Sequence, residues 1–202
     1  MVAPLGQYAA TIGSQHLQLP IVPLTDEIAV ALMITVDQGV HFSERAGQEL
    51  AEQLRPFGVD IVASVATMGI PVAIEVSRAL GLDDYVILQK TPKIHLADAL
   101  SVPLRSITTG QEQHLLFDRA RVHVVEGRNV ALIDDVISTG GSMHAALALL
   151  RCVGATPIAI GVLATEGDEW RSAIGEDAKI VHSLGVLPLF ERLPDGSVRE
   201  LP

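Results

Sequence analysis

Short apolar runs recur through the middle of the chain, and each is followed by a loop and then by a longer stretch with helical spacing of its apolar residues. This alternation predicts parallel strands, because a parallel pair needs a long crossover connection and that connection is usually a helix. The runs contain few polar residues, which indicates strands that are buried on both faces. The predicted strands cover residues 61–65, 85–88, 130–133 and 158–163, and the predicted helices cover residues 43–54, 71–80 and 143–153.

The pattern therefore predicts an α/β protein with a central parallel sheet flanked by helices. Local signals support the helix boundaries. Ser43 is a suitable N-cap, Pro71 suits a first helical turn, and Gly81 and Gly154 are suitable C-terminal stops.

Both ends of the chain depart from this pattern. The first forty residues contain prolines at positions 4, 20 and 23 and are predicted to be irregular, apart from a strand or short buried helix at residues 28–36. The tail is predicted to hold a short helix, two strands and a hairpin turn at Asp195 and Gly196. The helix is placed at residues 169–174 and the strands at residues 180–183 and 187–190.

A different pattern lies between residues 89 and 128. Residues 101–108 and 114–124 alternate or are rich in β-formers, and a polar, glycine-containing link from Thr109 to Gln113 separates them. Two such segments around a polar link predict a long antiparallel hairpin. This hairpin is expected to project from the sheet as a flexible arm.

Composition and charge narrow the functional classes. The chain has 202 residues, of which 49% are apolar and 19% charged, so it is long enough for one domain with a full core and is not a disordered chain. The formal net charge of -10 argues against a nucleic-acid-binding protein, since no basic stripe is present to displace counterions. An anionic ligand must therefore be held locally, by N–H groups at a helix start, a few lysines or a metal ion.

Cys152 is the only cysteine, which excludes an internal disulfide and a cysteine-based zinc site. The longest apolar run, at residues 28–35, is too short to span a bilayer, and the first residues lack the positive charge of a signal peptide. The chain is therefore expected to be a soluble cytoplasmic protein that does not bind membranes.

The segment from Val130 to Ser142 carries the candidate chemistry. It consists of a buried strand, two acids, two apolar spacers and then small residues that open a helix. The small residues can direct successive N–H groups and hydroxyls at one phosphate, at the positive end of the helix dipole. The glycines allow the backbone to approach closely. The residues predicted to hold the phosphate are Val136, Ile137, Ser138, Thr139, Gly140, Gly141 and Ser142.

The two acids, Asp134 and Asp135, precede this cradle at about the place where the hydroxyls of a pentose would lie. Carboxylates accept strong hydrogen bonds from paired hydroxyls, so both are predicted to hold the sugar, and they can also influence a nearby Mg²⁺. The alternative interpretation is a strand that ends in two acids, followed by an ordinary turn and helix cap. Other nucleotide motifs fit worse, because no lysine follows Gly141 and no G-x-G-x-x-G follows a strand.

Residues Val130 to Ser142 resemble the phosphoribosyl pyrophosphate (PRPP) signature of type I phosphoribosyltransferases, and the order of elements is similar over about residues 43–165. Within that family the chain looks closest to the adenine and xanthine phosphoribosyltransferases and to the effector domain of purine-operon repressors. The resemblance implies one phosphoribosyltransferase domain over residues 1–202, with a base-binding hood formed by residues 20–40 and 165–202.

In that family a base displaces pyrophosphate from C1 of the sugar through an oxocarbenium-like transition state, with Mg²⁺ bound to the pyrophosphate. By resemblance, Lys90 is a catalytic residue together with the two acids, and Lys93 adds positive charge at the leaving group. The alternative for both lysines is an exposed loop charge. The residues that resemble the family's pyrophosphate loop are Ala66, Thr67, Met68 and Gly69.

The sequence departs from the adenine enzymes at two positions. Thr108 stands where their arm carries a glutamate that assists the base, and Met68 stands where their pyrophosphate loop tends to carry arginine or lysine. In the hood, Trp170 is a candidate to stack on a purine, and packing on a short helix is the alternative. The resemblance also implies a homodimer.

Two functions are consistent with these residues. The first is a Mg²⁺-dependent purine phosphoribosyltransferase of nucleotide salvage, which transfers 5-phosphoribosyl from PRPP to a purine-like base. The second is a PRPP-binding sensor without catalytic activity, which the departures at Thr108 and Met68 favour. In both cases Asp135→Asn, or a bulky replacement of Gly140, is expected to weaken binding and to leave the fold intact.

Overall fold

The computed structural model describes residues 3–94, 98–104 and 113–201. The strands are β1 (Gly6–Ile12), β2 (Gln15–Pro23), β3 (Ile28–Ala31), β4 (Ile61–Val65), β5 (Tyr85–Leu88), β6 (Ala99–Leu104), β7 (Gln113–Asp118), β8 (Asn129–Ile137), β9 (Thr156–Glu166), β10 (Val181–Leu187), β11 (Leu189–Arg192) and β12 (Val198–Glu200). The helices are α1 (Val40–Leu54), α2 (Ile70–Leu80), α3 (Val122–Val125), α4 (Gly141–Cys152) and α5 (Glu169–Ile174). None of these helices is long and apolar enough to cross a membrane.

A five-stranded parallel sheet forms the centre of the fold, in the order β10-β9-β8-β4-β5. All neighbouring strands in it are parallel. Side chains alternate between its faces, so Val62 belongs with Leu50 of α1 to the core on one face, while Ile61 belongs with Leu147 of α4 to the core on the other. Both faces are therefore buried, which explains the near-continuous apolar runs. The predicted central parallel sheet flanked by helices is confirmed.

A second, antiparallel sheet combines the two ends of the described chain, and we call this sheet the hood. Its strand order is β1-β2-β3-β11-β12. β3 pairs with β11, and the predicted turn at Asp195 and Gly196 joins β11 to β12. The hood contacts the central sheet through β10, where Gly13 N–H donates to the carbonyl of Leu184 at 2.9 Å. A Cβ on Gly185 would lie 2.5 Å from the carbonyl oxygen of Thr11, so the two backbones meet there without a side chain between them.

β6 and β7 form the predicted antiparallel arm, in which Leu100 pairs with Phe117. The arm is attached to the central sheet beyond β5, where Gln89 and Leu116 exchange two backbone hydrogen bonds of 2.9 and 2.8 Å. Phe117 and Leu115 are buried in the core on the α4 side. Thr108 and residues 109–112 of the predicted link lie outside the described residues.

The prediction that the first forty residues are irregular is wrong. They contain β1 and β2, and the strand expected at residues 28–36 is limited to Ile28–Ala31. Pro20 and Pro23, which argued against a strand, lie within β2. The signal of this hairpin was the two-residue link after Ile12, in which glycine supplies the positive φ of 58° at position 13.

Four further boundaries differ from the sequence-based expectation. α1 begins at Val40, so Ser43 is not its N-cap, and the Ser43 hydroxyl instead donates back to the carbonyl of Gly39 at 3.3 Å. The strand expected at residues 114–124 ends at Asp118, whose carboxylate accepts from the N–H of Ala120 at 2.9 Å and begins a turn. In the tail, β10 is longer than predicted and β11 begins two residues later than expected.

Candidate active site

The carboxyl end of β8 leads through residues 138–140 into α4, and we call residues 138–142 the phosphate loop. β8 extends as far as Ile137. Val136 and Ile137, which were predicted to belong to the phosphate cradle, are therefore strand residues that directly precede the phosphate loop. The loop and the first turn of α4 line a cavity of about 140 Å³. This volume is small for a drug-sized ligand and suits a compact anion at a helix start.

Gly140, which has a φ of 80°, holds the phosphate loop against α5. A Cβ at this position would lie 3.0 Å from the Cα of Trp170 and 2.9 Å from the Cβ of Ala173. Glycine is therefore required both for the backbone conformation and for this close approach. For the same reason, the expectation that a bulky replacement of Gly140 leaves the fold intact is wrong.

Trp170 packs behind the phosphate loop. Its side chain is 2% exposed, and its Nε1–H donates to the carbonyl of Gly167 at 3.0 Å. The guanidinium of Arg171 lies 4.3 Å from the ring centroid. A ring enclosed in this way offers no free face to a base, so the hood role predicted for Trp170 is wrong and the packing interpretation applies.

The two acids lie next to the phosphate loop. Asp134 is 8% exposed, and its Oδ1 accepts a hydrogen bond from the N–H of Asp135 at 3.0 Å. Burial raises the pKa of Asp134 well above its usual range and the Asp135 carboxyl raises it further, while Lys90 lowers it. Asp135 is half-buried and is the more accessible acid. Among the described residues neither acid forms an ion pair with lysine or arginine.

The second predicted loop, residues 66–69, joins β4 to α2 and contacts the first acid directly. A Cβ on Gly69 would lie 2.7 Å from Oδ1 of Asp134 and 2.5 Å from Oγ of Ser64. The φ of Gly69 is −71°, which any residue can adopt, so glycine is needed here for space alone. The structure thus brings together the two segments that the sequence analysis singled out separately.

The 66–69 loop contains no charged side chain. Thr67 is exposed, Met68 is half-buried, and the peptide bond between Ala66 and Thr67 is cis. α2 begins at Ile70 with Pro71 in its first turn, so one backbone N–H donor is missing at this helix start. An anion at this loop would find fewer donors than an anion at the start of α4.

The two predicted lysines differ in position. Lys90 follows β5 and is exposed, and its charge lowers the pKa of Asp134, which places it within electrostatic reach of the acids. Lys93 is also exposed, and none of the contacts described in this part of the chain ties it to the acids. Its role stays a prediction.

The arm lies beside the phosphate loop. Val102 and Pro103 of β6 line a cavity of about 680 Å³ together with Thr139 of the loop and His144 of α4. The lining is mostly apolar, with small residues on the helix side. The arm therefore borders the phosphate loop.

Sequence analysis missed Glu166, the last residue of β9. The strand was predicted to end at residue 163, but it continues beside β8, where Ile137 pairs with Thr165. Glu166 is 8% exposed, and the pairing of Ile137 with Thr165 places it next to Ser138. Burial raises the pKa of Glu166, while the Ser138 side chain lowers it. The available signal was an acid at the carboxyl end of a parallel strand, the edge where α/β sheets bind ligands.

No cluster of three or more His, Cys, Asp or Glu side chains in the described part of the chain is placed to hold a metal ion by itself. Asp134 and Asp135 nevertheless supply carboxylate oxygens, which Mg²⁺ prefers. Because Mg²⁺ usually keeps several waters and binds one or two carboxylates plus substrate phosphates, the donor set fits an ion that arrives with a phosphorylated ligand.

The fold and the site define an α/β protein with a loop of small residues and a helix start at the carboxyl edge of its parallel sheet, an arrangement that suits a phosphorylated ligand. The chain belongs to the phosphoribosyl transferase domain family, which matches residues 41–183. The resemblance found in the sequence is thereby confirmed.

The chain is similar in sequence to proteins that have different activities. The chain is 26% identical to the orotate phosphoribosyltransferase of Caldanaerobacter subterraneus, over 63% of this chain and 56% of that protein. It is 26% identical to the xanthine phosphoribosyltransferase of Laribacter hongkongensis, over 72% and 76% of the two chains. It is also 26% identical to the purine biosynthesis transcriptional activator PurR of Lactococcus lactis, over 53% of this chain and 38% of the regulator. The chain thus spans only about half of the first relative and less of the regulator.

Among solved structures, the adenine phosphoribosyltransferase of Thermoanaerobacter pseudethanolicus superposes with a TM-score of 0.69 and 22% sequence identity. The alignment covers 83% of this chain and 94% of that chain. The predicted type I phosphoribosyltransferase fold is confirmed by this similarity, which at such low identity concerns the fold alone.

Proposed function

We propose that this protein is a purine phosphoribosyltransferase, which transfers the 5-phosphoribosyl group of PRPP to a ring nitrogen of a purine-like base and releases pyrophosphate. The observation that supports this most is the packing of Gly69, from the 66–69 loop, on Asp134, just before the phosphate loop. A ligand that reaches both loops needs a phosphate at one end, a second anionic group at the other and a hydroxyl-bearing unit between them. PRPP has this arrangement.

In this proposal the phosphate loop holds the 5-phosphate with the N–H groups at the start of α4 and with the hydroxyls of Ser138, Thr139 and Ser142. Asp135, the more accessible acid, accepts hydrogen bonds from the ribose hydroxyls. Asp134 lies deeper, between the two loops, where it can hold its proton more readily than an exposed acid. The sugar is thereby fixed between the loops with C1 toward residues 66–69.

The reaction forms a bond between C1 and the base nitrogen while the bond from C1 to the pyrophosphate oxygen breaks and its electron pair leaves with pyrophosphate. Positive charge develops on the sugar ring in the transition state, and the neighbouring carboxylate of Asp135 stabilises it. Lys90 stabilises the departing polyanion, because it closely follows β5, which pairs with the strand that leads into the 66–69 loop. Mg²⁺, held by pyrophosphate oxygens near the two acids, would neutralise the same leaving group.

The purine-like base is proposed from the xanthine enzyme among the relatives and from the fold shared with an adenine enzyme. The hood would enclose it. We also propose that the protein acts as a cytoplasmic homodimer, and light scattering of the purified chain would measure the oligomeric state directly.

The decisive assay measures pyrophosphate release with Mg²⁺, PRPP and a panel of bases that contains adenine, guanine, hypoxanthine, xanthine, orotate and uracil. Turnover with one or more purines is the expected result. Asp135→Asn should lose most of this activity. Asp83→Asn is a matched control, because Asp83 is an exposed acid that precedes β5 at the opposite edge of the sheet. Turnover with orotate alone would contradict purine specificity, and silence with every base would contradict the enzyme.

A PRPP-binding sensor is the second candidate. It is favoured by the uncharged 66–69 loop, where Met68 offers no cation to the leaving group, and by the similarity to a transcriptional activator. Calorimetry would show PRPP binding that depends on Asp135, while the assay above would detect no turnover with any base. Turnover with any base rules the sensor out.

A further inference from the structure

Glu166 is a buried acid at the phosphate loop that the proposed reaction does not use. Ile137 pairs with Thr165, so the residues that follow them, Ser138 and Glu166, are neighbours at the ends of β8 and β9. Glu166 is 8% exposed, and the Ser138 side chain is close enough to lower the pKa of its carboxyl. The first residue of the phosphate loop thus has an acid, rather than a cation, as its neighbour.

An ionised carboxylate in this place opposes the binding of an anion, because like charges repel most strongly where water is excluded. The titratable and charged side chains at this edge of the sheet, and at the starts of α4 and α5, are Lys90, Asp134, Asp135, His144, Asp168, Glu169 and Arg171. Arg171 is paired with Asp168 at 3.0 Å, and in the described part of the chain no cation forms an ion pair with Glu166. The negative charge of Glu166 would therefore be uncompensated.

We propose that Glu166 is a positioning residue for the phosphate loop and that it carries a proton when phosphate is bound. Its O–H then donates to Oγ of Ser138, and the Ser138 O–H donates to a phosphate oxygen. When Glu166 releases its proton to solvent, the Ser138 O–H turns to the carboxylate, so the phosphate loses one donor and gains a repelling charge. This inference rests on the proposed function, since it assumes a ligand phosphate in the loop.

The direction of the pH dependence follows from burial. Burial raises the pKa of Glu166, and a bound phosphate dianion raises it further, so the bound complex holds the proton more tightly than the free protein. By linkage, the affinity for the phosphate falls as pH rises through the pKa of Glu166. Each unit by which phosphate raises that pKa makes about a tenfold difference in affinity between the two protonation states.

The test compares Glu166→Gln with the wild-type protein in calorimetric titrations with ribose 5-phosphate and with PRPP plus Mg²⁺, over about pH 5 to 8.5. Glutamine keeps an N–H donor for Ser138 and carries no charge. The quantity to compare is the dissociation constant of the wild-type protein divided by that of the variant. The pH effects that come from the ligand and from the other acids are common to both proteins and cancel in this ratio. We expect this ratio to be close to one at the acid end and to rise to about ten at the alkaline end.

Two further variants separate this role from simple packing. Glu166→Ala keeps no donor, so it should bind more weakly than Glu166→Gln at every pH. Ser138→Ala removes the hydroxyl through which Glu166 acts, so the benefit of Glu166→Gln should shrink in that background. In turnover assays the effect should appear in KM for PRPP and leave kcat unchanged, because the contact is to the phosphate and not to C1.

A ratio that does not change with pH, while the wild-type protein binds and turns over PRPP, would overturn this inference alone. Weaker binding by Glu166→Gln at every pH would also overturn it, since a neutral donor would then not replace the acid. If neither wild-type protein nor variants bind ribose 5-phosphate or PRPP, the proposed function fails and the inference fails with it. Thermal unfolding of each variant identifies any that does not fold.

Discussion

The two loops that are proposed to hold anions are built differently. The phosphate loop has a glycine at positive φ, three hydroxyl side chains and the unobstructed start of the 12-residue helix α4. The 66–69 loop has one hydroxyl, no charge, and a helix start from which Pro71 removes an N–H donor. In the proposed complex, the protein alone would thus supply what the phosphate end of PRPP needs, whereas the pyrophosphate end would depend on Lys90 and on an ion carried by the ligand. Substitutions in each loop test this contrast.

The largest effect is expected for Gly140→Val in the phosphate loop. A β-branched residue there combines backbone strain at a φ of 80° with a clash against Trp170, so the free energy of unfolding should fall by about 3 kcal/mol or more and phosphate binding should be lost. Urea denaturation measures the first effect. Gly175→Val is the matched control, because Gly175 has a φ of 58° but nothing within 4 Å of a Cβ, so only strain applies. Equal losses in the two variants would mean that the contact with α5 is unimportant.

Gly69→Ala should have the next largest effect, at the contact between the loops. The added methyl would lie 2.7 Å from Oδ1 of Asp134 and 2.5 Å from Oγ of Ser64, so about 1–3 kcal/mol of stability and about tenfold in PRPP affinity should be lost. Gly6→Ala is the control, since the nearest atom to its Cβ would be 3.7 Å away. Unchanged PRPP affinity in Gly69→Ala would mean that the contact between the 66–69 loop and Asp134 does not contribute to PRPP binding.

Asp134→Asn tests the acid that lies between the loops. The folded-state pKa of Asp134 is raised, so this group stabilises the fold below its unfolded pKa and that contribution is lost as pH rises through the folded pKa. Asparagine does not ionise, so the variant should unfold at a higher temperature than the wild-type protein at neutral and alkaline pH. The gain should vanish in acid. A stability gain that is the same at all pH values would exclude the buried charge as its cause.

The smallest effect is expected for Met68→Lys. A lysine at this half-buried position adds the cation that the 66–69 loop lacks, which should raise the affinity for PRPP by about twofold to fivefold. Met68→Gln adds polarity without charge and is the control. The gain should decrease with added salt, and a gain that ionic strength does not affect would point to a cause other than charge.

The central sheet and the phosphate loop were predictable because their signals are local. Val130 to Ile133 are apolar on both faces, and the acids and small residues follow in one uninterrupted segment. The antiparallel sheet of the hood was largely missed, because the prolines in β2 concealed an alternating strand and because β3 pairs with β11, a segment at the far end of the chain. The residues of each loop could be identified from the sequence, but the contact between the 66–69 loop and Asp134, just before the phosphate loop, could not.

Glu166 and Trp170 show the same limit in the site. The proximity of Glu166 to Ser138 depends on the register of β9 against β8, and no local pattern gives that register. Trp170 was considered for base stacking because it is the only tryptophan, yet its burial is set by the approach of α5 to Gly140. Residue type indicated possible chemistry in both cases, and only tertiary packing decided it.

The pairing of β3 with β11 has a consequence for how the chain is made. Ile28 pairs with Glu191, which lies 163 residues further along, whereas β4, β5, β8 and β9 are all synthesised before β11 emerges. Contacts between such distant residues form late, since a long loop must close first. During translation, the edge of β3 that pairs with β11 therefore remains unpaired until β11 leaves the ribosome. A nascent chain stalled before β11 would expose the unpaired backbone groups of that edge to other chains.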